Sequence, residues 1–288
     1  MMARCALWLV SPIWVFALVG IGLSSKVGET WQADILAFQG ISEENFEIFI
    51  LDIGSSLRVN VSRSAGGDFG PRWSGDGRLA FTSRRDRNSE IYVLDTNSGS
   101  VANVTRSSTQ EESPAWSVDG HLAFVSNRAG FWQIYVLDAS TGLAADGVHG
   151  GQVDYLPAWS VDGRLAFTSS SVGNQEIFVL DAQTGVVSNL TQNEGNDSEP
   201  AWAADGRLAF TSTRDGNSEI YVLDAVTGLA HNVSHHAAED YSPAWSRDGR
   251  LAFVSERDGI AKIYVLDLNT GMLRKVTDEI AYSPSWRW

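Results

Sequence analysis

Residues 200–228 read PAWAADGRLAFTSTRDGNSEIYVLDAVTG, and this stretch decides the fold. It opens with a short apolar element closed by Trp202, then a turn centred on Asp205-Gly206. LAFTS (208–212) follows, then the hairpin signal Arg-Asp-Gly-Asn (214–217) and the run IYVLD (220–224). Four successive apolar positions in that run fit a strand buried on both faces. D-x-x-T-G at 224–228 reads as a type I turn ended by a left-handed glycine. A short fourth strand, NVS (232–234), completes four strands joined by tight turns.

The same pattern recurs along the chain. LAF begins at Leu36, Leu79, Leu122, Leu165, Leu208 and Leu251, every step being 43 residues. The tryptophans of the P-x-W element are Trp73, Trp116, Trp159, Trp202, Trp245 and Trp286, with steps of 43 until a final 41. Four antiparallel strands in about 43 residues make one propeller blade, so six copies predict an all-β, six-bladed β-propeller of four-stranded antiparallel blades over residues 35–288. A β-solenoid would need shorter, parallel rungs. There are six second, third and fourth strands but seven candidate first strands, because Trp31 precedes the first LAF. SPSWRW (283–288) keeps the Pro and Trp of the repeat, whereas Trp31 is one residue out of register. The C-terminal strand is therefore expected to enter the blade begun by residues 35–62, closing the ring and removing an open edge.

The N-terminal 1–25 segment is separate from this pattern. Cys5 to Leu23 carry no charge and follow Arg4. Two readings are open: a cleaved signal peptide, with Gly22 and Ser24 as the small residues before the cut, or an uncleaved membrane anchor interrupted by Pro12. Both place the propeller outside the cytoplasm, after a linker at 26–34, and Arg4 agrees with that orientation. The only cysteine is Cys5, so packing rather than disulfides must hold the ring. The formal net charge of −14 repels polyanions and argues against nucleic acid. Membrane contact is expected only through the N-terminal segment, and a monomer is expected.

The motif S-P-A-W-S-x-D-G-R-L-A-F-x-S-x-R-D-G-N-x-E-I-Y-V-L-D-x-x-T-G, nearly whole at 200–228 and 242–271, closely resembles the TolB-type, WD-like propeller repeat. The resemblance covers about residues 31–288 and implies the propeller fold, a protein partner and a place in the cell envelope. TolB has an extra N-terminal α/β domain, for which the ten or so residues after the apolar segment leave no room. Similar repeats also precede hydrolase domains, but this sequence shows no G-x-S-x-G nucleophile elbow.

Candidate site residues come from the loops on one face. Five residues before the repeat tryptophan stand Asp68, Glu111, Asp154, Asp197 and Asp240, with Ala281 in the sixth copy. The hairpin between strands two and three carries Arg85, Arg128, Arg214 and Arg257, with Ser42 and Ser171 in the other copies. Both rings of charge fall on one rim, where they either pair to hold the blades or bind a partner. Phe131 and Trp132 replace the usual Asn-Ser at a hairpin tip, and either form a contact surface or fold back onto a neighbouring loop. His231, His235 and His236 sit together without a ligand-set motif and read as a solvated loop. No cofactor, metal or catalytic residue is expected. The reading is a non-enzymatic extracytoplasmic scaffold that binds a protein or peptide. The alternative is a hydrolase or lyase with its site in the central funnel, acting on carbohydrate or peptide.

Overall fold

A computed structural model describes residues 34–138, 144–148, 153–224 and 227–287. The 1–25 segment and Trp31 lie outside them. Twenty-four strands, numbered in chain order, form six four-stranded antiparallel sheets. The six first strands are β4 (Asp68–Trp73), β8 (Glu111–Trp116), β12 (Asp154–Trp159), β16 (Asp197–Trp202), β20 (Asp240–Trp245) and β24 (Ala281–Trp286). Each of them touches the next, and β24 touches β4, so they line the axis of a closed ring. The propeller expected from the repeat is the fold.

Closure follows the C-terminal route. β24 pairs antiparallel with β1 (Ile35–Ser42), Leu36 opposite Trp286 and Gly40 opposite Ala281. The blade continues through β2 (Asn45–Asp52) to β3 (Leu57–Asn60). Trp286 then fills the position that the other tryptophans fill in their own blades.

The core lies between blades rather than within one. In a representative interface, Ala209, Ile220 and Val222 of one blade pack against Trp245, Leu251, Phe253 and Tyr264 of the next. The alternation of a strand explains this: Leu and Phe of LAF face one neighbour while the intervening Ala faces the other. Within a blade the Phe ring stacks on the Tyr or Phe of strand three, as Phe210 does on Tyr221 at 5.9 Å. Turn chemistry matches the sequence. Gly77, Gly120, Gly163, Gly206 and Gly249 all have φ between 86° and 90°, closing the S-x-D-G turns in a conformation that a Cβ disfavours.

Every first strand also carries a bulge that the sequence does not announce. Gly70, Ser113, Leu156, Glu199, Ser242 and Ser283, each preceding the repeat proline, have φ between 49° and 56°. All six copies share it, so it belongs to the blade. It kinks the first strand beside the axis and turns backbone N–H groups towards the neighbouring blade. Ser113 N donates to Thr82 Oγ1 at 3.2 Å and Glu199 N to Thr168 Oγ1 at 3.3 Å.

Candidate functional site: the axial channel and its two mouths

Each first strand runs from the rim acid to the repeat tryptophan, so acids and tryptophans mark opposite faces of the ring. On the acid face the two rings of charge meet. Arg85 contacts Asp68 at 3.3 Å, Arg128 Glu111 at 3.5 Å, Arg214 Asp197 at 2.9 Å and Arg257 Asp240 at 3.1 Å. Each arginine Nε also donates to the serine ending strand two, and each guanidinium lies over the strand-three tyrosine, Arg214 at 4.4 Å from the Tyr221 ring. All five acids, Asp154 included, are fully buried. Asp154 belongs to the blade whose hairpin carries Ser171. Burial pushes the Asp68, Asp197 and Asp240 carboxyls above the usual carboxylate range, and the serine and guanidinium contacts pull the other way. In the closing blade Ala281 and Ser42 replace acid and base together. The four acid–arginine pairs each lie within one blade and brace it.

The odd hairpin divides. Trp132 is partly buried and packs against the interface cluster that includes Ile134, Phe167 and Phe178, while Phe131 is exposed. Trp132 O also accepts from Asp154 N at 3.2 Å. The histidines do not converge on a ligand set: His236 Nδ1 accepts from Ala238 N at 3.0 Å. Among the described residues no three His, Cys, Asp or Glu side chains are grouped to hold a metal.

A buried glutamate at the head of strand three carries a role the sequence reading missed. Glu47, Glu90, Glu176 and Glu219 each accept from a hydroxyl of the loop after strand four (Ser62, Thr105, Thr191 and Ser234) and from a backbone N–H two residues on. Its signal was the E of E-I-Y-V at the same 43-residue step.

Residues that depart from the repeat gather on the axis. Position two of P-x-W is alanine in four copies and serine in one, but arginine at Arg72. The residue before that proline is Glu199 in one copy only. The two stand on first strands three blades apart, hence on opposite sides of a six-bladed ring. The axial space divides into two chambers that share Arg72, Pro157, Pro200 and Pro243 at the neck. The chamber towards the acid face, of about 260 Å³, is bordered by Phe69, Glu112, Leu156 and Glu199. Glu199 is held there by both its own blade and the next: Oε1 accepts from Ser242 Oγ and Oε2 from Ser242 N of the next blade, and Oε2 also from Thr211 Oγ1 of its own, all at 2.7 Å. The other chamber, of about 530 Å³, is ringed by all six repeat tryptophans.

The TolB β-propeller domain family matches residues 30–164, 149–249 and 206–288, almost the whole propeller. This chain belongs to that family. No curated protein sequence matches it. Among solved structures, TolB from Acinetobacter baumannii superposes with a TM-score of 0.79 at 20% identity, covering 88% of this chain and 66% of that one. The chain thus spans less than two thirds of that TolB's length. A putative TolB from Agrobacterium tumefaciens superposes with a TM-score of 0.70 at 21% identity, covering 88% of this chain and 98% of that one. A puromycin-hydrolyzing peptidase from Mycobacterium tuberculosis gives 0.61 at 17% identity, covering 86% of this chain and 45% of its own. At these identities the likeness is one of fold, and a TolB-type propeller supports a binding scaffold in general terms.

Proposed function

We propose that this TolB-type propeller is a non-enzymatic, extracytoplasmic scaffold that holds a protein or peptide partner at its axial channel. One observation carries the reading. The repeated charges pair within their blades in four of six copies and the repeated apolar side chains pack between blades, whereas departures from the repeat, Arg72, Leu156 and Glu199 among them, converge on the channel. A rigid ring presenting a few individual side chains on its axis is suited to recognition. The extracytoplasmic location rests on the apolar 1–25 segment and on family membership. A hydrolase or lyase in the channel gains no support from Glu199, which two donors of the adjoining blade and one of its own already engage.

The test is site-specific photo-crosslinking in the native host. A photoreactive residue replaces Val118, exposed at the tryptophan-ringed mouth, or Met272, exposed on the outer strand β23 (Met272–Lys275). A discrete protein adduct from position 118 and none from 272 is the expected result. Adducts from 272 alone, or none from either position, overturn the reading.

A further inference from the structure

The tryptophan-ringed chamber is unlike the rest of the molecule in charge. The chain carries a net −14, yet no Asp or Glu among the described residues lines this space, and Arg72 and Arg247 do. Arg72 sits at the neck. Its Nη1 donates to Pro71 O at 2.8 Å, and among the described residues it has no ion pair with a carboxylate. It is half-buried, and desolvation pulls the guanidinium down from its ordinary value, opposed by Glu199 across the channel. A guanidinium in such a place turns several donors towards the channel with no further protein acceptor among the described residues, in a fork that fits a carboxylate.

The wall of the chamber is asymmetric. Five tryptophans have a guanidinium over the ring: Arg78 over Trp116, Arg164 over Trp202, Arg207 over Trp245, Arg250 over Trp286 and Arg287 over Trp73. The equivalent position before Trp159 is His121, which instead contacts Asp119 at 3.0 Å. On this side Val118 and Val161 are exposed, 70% and 45%, beside the part-buried Trp116 and Trp159. The opposite lip carries the exposed Arg247. A ligand entering here meets apolar surface at the lip and a lone cation at the bottom.

We infer that this chamber receives the C-terminal end of a peptide, with the terminal carboxylate on Arg72 and the last apolar side chains against Val118, Val161, Trp116 and Trp159. The inference rests on the scaffold reading and names the partner's chemistry. The neck argues for a chain end: the Arg72 side chain borders both chambers there, and a terminal carboxylate on it leaves the rest of the peptide in the tryptophan-ringed chamber. Charge-assisted bonds to a carboxylate in a half-buried site are stronger than the same bonds in open solution, so the free acid gains where an amide does not.

Full-length protein is titrated, by calorimetry and by its tryptophan fluorescence, with N-acetylated pentapeptide pools whose last three positions are drawn from Ala, Val, Leu, Ile and Phe. One pool ends in a free carboxylate, a second in an amide, and a third in an aspartate followed by an amide. The free-acid pool is expected to bind at least about tenfold more tightly than either amide pool. Arg72→Ala should bring it down to the amide level, and Arg72→Lys should retain part of the preference. Alanine stands at this position in four other blades, so the variant is expected to melt within a few degrees of the parent. Equal binding of acid and amide, equal binding of the aspartyl amide, an unchanged Arg72→Ala, or no binding by any pool overturns the inference. Such a result together with a protein adduct at position 118 leaves the scaffold reading standing. Acid-selective binding without any adduct leaves the carboxylate site standing and removes only the protein partner from that reading.

Discussion

At the scale of single residues, the acid–arginine braces show how a repeated charge becomes structural. Asp197 is fully buried, 2.9 Å from Arg214, and the guanidinium lies against Tyr221. Removing one partner leaves a buried charge without its counterion, which costs far more than the pair contributes. Arg214→Ala is therefore expected to destabilise by about 3 kcal/mol. The double variant Asp197→Ala, Arg214→Ser reproduces what the closing blade carries at Ala281 and Ser42, and should recover most of that loss. Chemical denaturation of the parent, both single variants and the double variant gives the coupling directly. Additive losses would mean that the pair is not a brace. Phe131 and Trp132 give the residue-scale counterpart. Adjacent in sequence and alike in composition, they part because one points into the interface packing of Ile134 and Phe167 and the other does not.

At the scale of elements, β24 joins the two ends of the chain in one blade and so closes the ring. It supplies Ala281 and Trp286 to the interface cluster of the closing blade and covers the edge of β1. Trp286→Ala alone should cost about 3–5 kcal/mol, as other core truncations of large aromatics do. Deleting residues 281–288 exposes a hydrophobic edge as well, and is expected to abolish the single sharp melting transition and produce aggregates on gel filtration. A deletion variant that melts as the parent does would show that closure adds no stability. The strands themselves were legible because each carries its own signal: LAF alternates, IYVLD is continuous, and glycine turns punctuate them at a constant step. The channel was not, because it is built from one strand per blade and only the closed ring brings Arg72 and Glu199 near one axis. A trace existed, since both break the repeat at P-x-W, but sequence alone assigns no direction to a side chain. The rim was legible in position, and the pairing that occupies it was one of two open readings. The bulges left no signal, for Ser, Leu and Glu are ordinary strand residues that happen to take a left-handed φ before proline.

At the scale of the whole molecule, two populations of carboxylates pull stability in opposite directions with pH. Asp68, Asp197, Asp240 and Glu47 are raised, mainly by burial. A group raised on folding contributes stability that is fully present below its unfolded pKa and lost as pH rises through its folded one. The turn aspartates are lowered: Asp76, Asp162 and Asp205 chiefly by the arginine two residues on, Asp119 by Ser117, and Asp95, Asp181 and Asp267 by backbone N–H groups. Their contribution is present above the unfolded value, near pH 4, and lost as pH falls through the lower folded value. Acidification from neutrality therefore first protonates the buried acids, which stabilises the fold, and at the same time relieves the self-repulsion of a chain with net charge −14. Only below about pH 4 do the turns begin to lose their contacts. The melting temperature at fixed ionic strength is expected to hold or rise from pH 7.5 to about 5 and to drop below about 4. Asp197→Asn, which cannot ionise, should flatten the upper part of that profile and leave the acid limb in place. A melting temperature that declines steadily from neutrality downward would mean that the buried carboxylates are better stabilised as anions than their burial implies, and that the arginine braces outweigh desolvation.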